Sequence, residues 1–137
     1  MTQLDLASCR QALQNTLAET LGMKITELAP GRVVATMPVD ARTHQPLGLL
    51  HGGASVALAE TIASMGGALL VMDQGKAVVG QEINANHLRS ITEGQVTGIG
   101  TILHQGKTSQ VWEIKIYDVE KKLLCISRCT LAVISPR

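Results

Sequence analysis

Residues 54–72 read Ala54-Ser55-Val56-Ala57-Leu58-Ala59-Glu60-Thr61-Ile62-Ala63-Ser64-Met65-Gly66-Gly67-Ala68-Leu69-Leu70-Val71-Met72, and how this run is read decides the fold. It is largely apolar and almost long enough to cross a bilayer. It also carries an acid, Glu60, and has no flanking cluster of positive charge. An unpaired carboxylate in lipid is costly, so the run reads as a helix buried inside a soluble domain. His51-Gly52-Gly53 leads into it and Asp73-Gln74-Gly75 ends it, which gives a central helix over residues 52–72. A helix apolar on nearly all sides must be covered on nearly all sides. One curved sheet wrapped around it would do that, with a partner subunit over whatever the sheet leaves open.

The flanking sequence supplies the sheet. Upstream, residues 32–39 alternate, with Val33, Ala35, Met37 and Val39 on one face and Arg32 and Thr36 on the other. Residues 23–28 form a second strand across the turn pair Pro30-Gly31. Downstream, residues 77–88, 95–103, 109–119 and 123–134 are four strand-like runs separated by Glu93-Gly94, Gln105-Gly106 and Glu120-Lys121. At the N-terminus Leu6, Leu13, Leu17 and Leu21 are spaced for one helical stripe. Asp5 or an earlier polar residue would cap that helix and Gly22 would end it, so one helix is expected within residues 1–21. The order helix, two strands, long helix, four strands is that of an α+β domain with an antiparallel sheet. At 137 residues it is a single domain, residues 1–137.

Composition narrows the function. The formal charge is +1, from 12 basic and 11 acidic residues, so nothing electrostatic draws the chain to nucleic acid or an anionic membrane. With no Phe, one Trp and one Tyr there is no platform on which bases could stack. Cys125 and Cys129, four apart in a strand, would be about 13 Å apart, too far for a disulfide, which needs less than about 7 Å. With Cys9 they read as reduced, small buried hydrophobes in a cytoplasmic protein. The N-terminus lacks the basic start and apolar run of a signal peptide.

Two features can carry chemistry. Glu60 lies mid-helix with Ser64 one turn later on the same face. A buried carboxylate is costly unless paired or employed; alternatively the pair marks one exposed stripe. His51-Gly52-Gly53 opens the helix, where glycines let a ligand approach and unpaired N–H groups at the positive end of the dipole can stabilise an oxyanion. The alternative is a structural glycine pair. His44, His51, His87 and His104 show no metal-ligand spacing, so no metal is expected. Gly53-Ala54-Ser55-Val56-Ala57 misses the nucleophile-elbow pattern at its last position. There is no Walker loop, and Gly98-Ile99-Gly100 lies inside a strand.

The motifs are specific as a set. Met37-Pro38-Val39-Asp40, Gln45-Pro46, Gly48-Leu49-Leu50-His51-Gly52-Gly53-Ala54-Ser55 and Leu58-Ala59-Glu60 resemble the hotdog-fold thioesterases of the PaaI and Arthrobacter-type 4-hydroxybenzoyl-CoA kind. Val78-Val79-Gly80, Glu82-Ile83-Asn84-Ala85-Asn86-His87 and Arg89-Ser90 extend the likeness to about residues 22–134. It is nearest to the enterobacterial thioesterases of menaquinone synthesis and enterobactin proofreading. The resemblance implies a sheet wrapped around the long helix and a homodimer with one continuous sheet, assembling to a homotetramer, with each active site at a subunit interface. It implies hydrolysis of acyl-CoA thioesters, or acyl-carrier-protein thioesters, with aromatic or medium acyl groups and no cofactor. Glu60 is then the nucleophile or general base. Gln45 and the backbone N–H of Gly52 polarise the thioester carbonyl, and His51 lies near it. Ser64, Met65 and His87 line the acyl pocket or its surround, and Arg89, Ser90, Gly106 and Lys107 hold the CoA phosphates and pantetheine arm. Leu47 stands where relatives for aromatic acyl groups often carry an aromatic residue, so stacking on an aryl group is absent there. The rivals are a dehydratase or hydratase on the same fold and a non-catalytic acyl-CoA-binding protein.

Overall fold

The computed structural model describes residues 4–136. Helices α1 (Leu6–Ala12) and α2 (Leu17–Thr20) precede strands β1 (Lys24–Ala29) and β2 (Arg32–Val39). The long helix α3 (Gly52–Val71) follows, then β3 (Ala77–His87), β4 (Gly94–Gln105), β5 (Ser109–Tyr117) and β6 (Leu123–Ile134). All six strands join one antiparallel sheet in the order β1-β2-β4-β5-β6-β3. Because α3 intervenes between β2 and β3, the chain crosses the sheet and adds β3 to the far edge, against β6 alone. One side of β3 is therefore unpaired among the described residues.

The strands bury the faces their alternation assigns. Val33, Ala35, Met37 and Val39 of β2 are buried, as are Trp112, Ile114 and Ile116 of β5. Leu58 and Ile62 of α3 are buried among them. The helix packs directly on the sheet through glycines at the contact. A Cβ at Gly66 would run into the Trp112 ring, and one at Gly100 into Ile62. Glycine inside a helix costs about 1 kcal/mol against alanine, but a methyl forced into this contact would cost about 1–3 kcal/mol, so close approach wins. Beneath the helix a buried polar pair is fully satisfied: Trp112 Nε1 donates to Gln110 Oε1 (2.9 Å), and Gln110 Nε2 donates to the Gly67 carbonyl (3.3 Å).

The single N-terminal helix expected within residues 1–21 is corrected to two. Residues 1–3 of that expectation lie outside the described residues. Asp5 does cap α1, in a reciprocal pair with Ser8, but the chain turns between α1 and α2. Asn15 takes a left-handed φ of 61° there, a conformation asparagine tolerates, and its N–H donates to Glu19 Oε2 (2.7 Å). The turn rotates Leu17 off the leucine stripe and leaves it 62% exposed. At the other end of the core helix, Met72–Gln74 form a 3₁₀ turn closed by Gly75 at φ 68°. The one stretch among the described residues long and apolar enough to cross a membrane, Gly52–Gln74, is this core helix. Cys9, Cys125 and Cys129 are buried free thiols.

Candidate active site

The start of α3 can be accounted for donor by donor. His51 is the N-cap, and its Nδ1 accepts from the Gly53 N–H (2.7 Å). In the neutral ring the remaining proton is then on Nε2. The His51 carbonyl accepts from Ala54 (3.0 Å) and Ser55 (3.2 Å). The Gly52 N–H has no partner among the described residues. The helix thus presents one free backbone donor at its positive end. The His87 ring lies over Gly52, where a Cβ would stand 2.8 Å from its Nε2.

Gln45 reaches the same place from the loop of residues 40–50. Its side-chain oxygen accepts from Leu47 N–H (2.5 Å) and more distantly from Leu49 N–H (3.4 Å). Its backbone closes the same turn through Gly48 N–H (2.9 Å) and Leu49 O (2.8 Å). Two N–H groups aimed at one side-chain atom require that atom to be the oxygen. The amide NH₂ is therefore left to donate elsewhere. The loop is pinned by His44 Nε2, which meets the Thr92 carbonyl at 2.8 Å, by Leu50 N–H on the Ile91 carbonyl (2.8 Å), and by His51 N–H on the Thr43 carbonyl (2.8 Å). In the sequence His44 stands out only as one of four histidines without metal-ligand spacing. Its structural partner is 48 residues away, and no local pattern announces it.

Gln45, Gly52, His87, Arg89 and Ser90 line one cleft of about 360 Å³, with Leu50 and Ser55 among its other walls. Glu60, Ser64 and Met65 line a second, of about 520 Å³, walled on its other side by Ala12, Leu13, Thr16, Leu17 and Ala18. Glu60 is half-buried and has neither a hydrogen bond nor an ion pair among the described residues. Its carboxylate lies over Gly80 of β3, where a Cβ would be 2.5 Å from Oε2. Its charge is felt at Cys129, whose thiol is pushed up to about 11 by burial, with Glu60 and Glu82 adding to the shift. Along α3 the distance from position 52 to position 60 is about 12 Å. One chain therefore holds the acid and the free donor in separate clefts. Gly106 and Lys107 sit at the β4–β5 turn, closed by Gly106 N–H on the Ser109 carbonyl (2.8 Å), and line neither cleft. Among the described residues no three His, Cys, Asp or Glu side chains are grouped to hold a metal.

Residues 47–125 match the family model of the thioesterase superfamily. The chain is 57% identical over 122 residues to putative esterase ComA2 of Bacillus subtilis, covering 89% of this chain and 97% of that protein. It is 55% identical over 118 residues to proofreading thioesterase EntH of Cronobacter turicensis, covering 86% and 85%. The crystal structure of a Haemophilus influenzae thioesterase superposes with a TM-score of 0.92 at 48% identity, covering 97% of this chain and 92% of that one. The six-stranded antiparallel sheet around one long helix is the hotdog fold of these neighbours. The chain belongs to the thioesterase superfamily and is a thioester hydrolase.

Proposed function

We propose that this protein hydrolyses acyl-CoA thioesters with aromatic or medium-length acyl groups in the cytoplasm, at sites shared between two copies of the chain. The observation that carries the reading is the separation of Glu60 from the Gly52 N–H, together with the place of β3 between them. Glu60 lies over Gly80 toward one end of β3, and His87 at the other end lies over Gly52. The outer side of β3 is unpaired among the described residues. An isologous antiparallel pairing of β3 with its copy, about the strand's midpoint, sets the Gly80 end of one opposite the His87 end of the other. Each Glu60 then faces the Gly52 and Gln45 donors of the second copy, and two sites form per dimer.

In such a site the thioester oxygen accepts from the Gly52 N–H and the Gln45 amide, which stabilise the negative charge that develops on it. Glu60 supplies the oxygen nucleophile in one of two ways. It deprotonates a water that adds to the carbonyl carbon, or it adds directly to form an anhydride that water then opens. In both the carbon–sulfur bond breaks, the sulfur leaves as CoA thiol with a proton, and the acyl group leaves as the acid. Arg89 and Ser90, which line the Gln45 cleft, hold the CoA portion together with the turn at Gly106 and Lys107. Ser64 and Met65 contact the acyl group, as does His87 across the dimer boundary.

The test is release of free thiol from a panel of aromatic and aliphatic acyl-CoA thioesters, and from the same acyl groups on carrier protein. Glu60→Gln is expected to lower kcat by about a thousandfold or more while the fold is retained. Wild-type turnover by that variant would remove Glu60 from the chemistry.

A further inference from the structure

We propose that the turn between α1 and α2 together with Leu17, the first residue of α2, is the wall against which the substrate's acyl chain packs, so that this N-terminal segment sets which acyl groups are accepted; this rests on Glu60 being the reacting carboxylate. The cleft beside Glu60 has two walls. Val56, Ala57, Ser64 and Met65 belong to α3, while Ala12, Thr16 and Leu17 come from the N-terminal segment. At about 520 Å³ it is within the usual range for a small-molecule site.

The polar groups on these walls can be counted off. Thr61 Oγ1 donates to the Ala57 carbonyl (2.7 Å), and Thr16 Oγ1 donates to the Leu13 carbonyl (2.5 Å). Both hydroxyl protons are spent on their own backbone. Among the described residues the polar side chains of the cleft left without a hydrogen bond are Glu60 and Ser64. The rest of the lining is apolar and contains no aromatic ring. Such a cleft takes an apolar chain, held by contact area, with its reacting end at the carboxylate.

Leu17 is the uncovered part of this wall. A single exposed leucine is ordinary on a protein surface, but this one is fixed in place. Buried Leu13 and Ala18 anchor the backbone on either side of it, and Glu19 Oε2 accepts the Asn15 N–H and holds the turn. An apolar side chain is therefore kept 62% exposed at the rim of the cleft that holds Glu60. The segment also lies outside residues 47–125, which match the family model.

The experiment compares kcat/KM for acetyl-, butanoyl-, hexanoyl- and octanoyl-CoA on the full-length wild type, Leu17→Ala and Leu17→Trp, with Glu60→Gln alongside. Each methylene packed on the wall is worth about fourfold in affinity. Leu17→Ala is expected to lower the octanoyl-to-acetyl ratio of kcat/KM about tenfold, chiefly through the KM for octanoyl-CoA. Leu17→Trp is expected to move the cut-off to shorter chains. Ratios unchanged in both variants, or all four substrates shifting by the same factor, would overturn the proposal. The Glu60→Gln arm separates the two readings. Loss of hydrolysis there with unmoved Leu17 ratios sinks only the wall. Full hydrolysis there sinks the role of Glu60, whatever the ratios do.

Discussion

The carboxylate of Glu60 rests on the bare backbone of Gly80, so close that a Cβ at position 80 would stand 2.5 Å from Oε2. The contact separates stability from activity. Gly80 has no positive φ, so alanine is tolerated by the backbone. The atom in its way is the free end of a flexible side chain. Gly80→Ala should leave Tm within about 2 °C of wild type and lower kcat by about a hundredfold, the cost of a reacting group displaced by about an ångström. Thermal unfolding beside thiol-release kinetics checks both halves. An unchanged kcat would mean that the carboxylate does not work from this position.

Gln45 has two jobs on two atoms. Its oxygen closes the turn through Leu47 and Leu49, and in the proposed site its NH₂ meets the substrate oxygen. Gln45→Glu keeps an acceptor for the turn and removes the donor; Gln45→Ala removes both. Both should lose about 10²–10³ in kcat with little change in KM, because an oxyanion contact acts mainly in the transition state. Turnover by Gln45→Glu at the wild-type rate would leave only the turn-closing job.

His44 positions Gln45 through its bond to the Thr92 carbonyl, which ties the Gln45 loop to the segment carrying Arg89 and Ser90. His44→Ala should lower kcat about tenfold. His44→Gln, whose amide can donate from a similar reach, should restore most of it. Equal losses in the two variants would show that the ring's bulk matters and the bond does not.

How far the sequence discloses this molecule depends on whether a signal is local. Strands β2 and β6 begin and end at the residues their alternation and turn signals mark, Arg32–Val39 and Leu123–Ile134, because side-chain period and turn chemistry are neighbour properties. The leucine spacing of residues 6–21 misleads because it runs straight through a turn at Asn15, and periodicity does not report a backbone that changes hand. Gln110 is read as part of a strand, but its burial is set by Trp112 and by Gly67 on another element. In the site, the free donor at Gly52 follows from any helix start. The orientation of the Gln45 amide, the His44 anchor and the separation of Glu60 from Gly52 are products of tertiary contact.

The proposed shared site is tested most directly by mixing two crippled chains. Glu60→Gln and Gln45→Ala homodimers should each be nearly inactive. When the two are unfolded together and refolded at equal amounts, half the dimers are mixed, and each mixed dimer holds one site with Glu60 from one copy and Gln45 from the other. Free thiol release should then recover to about a quarter of the wild-type rate, the share of sites that isologous pairing leaves whole. Recovery no greater than the sum of the two parents would contradict a site built across the dimer.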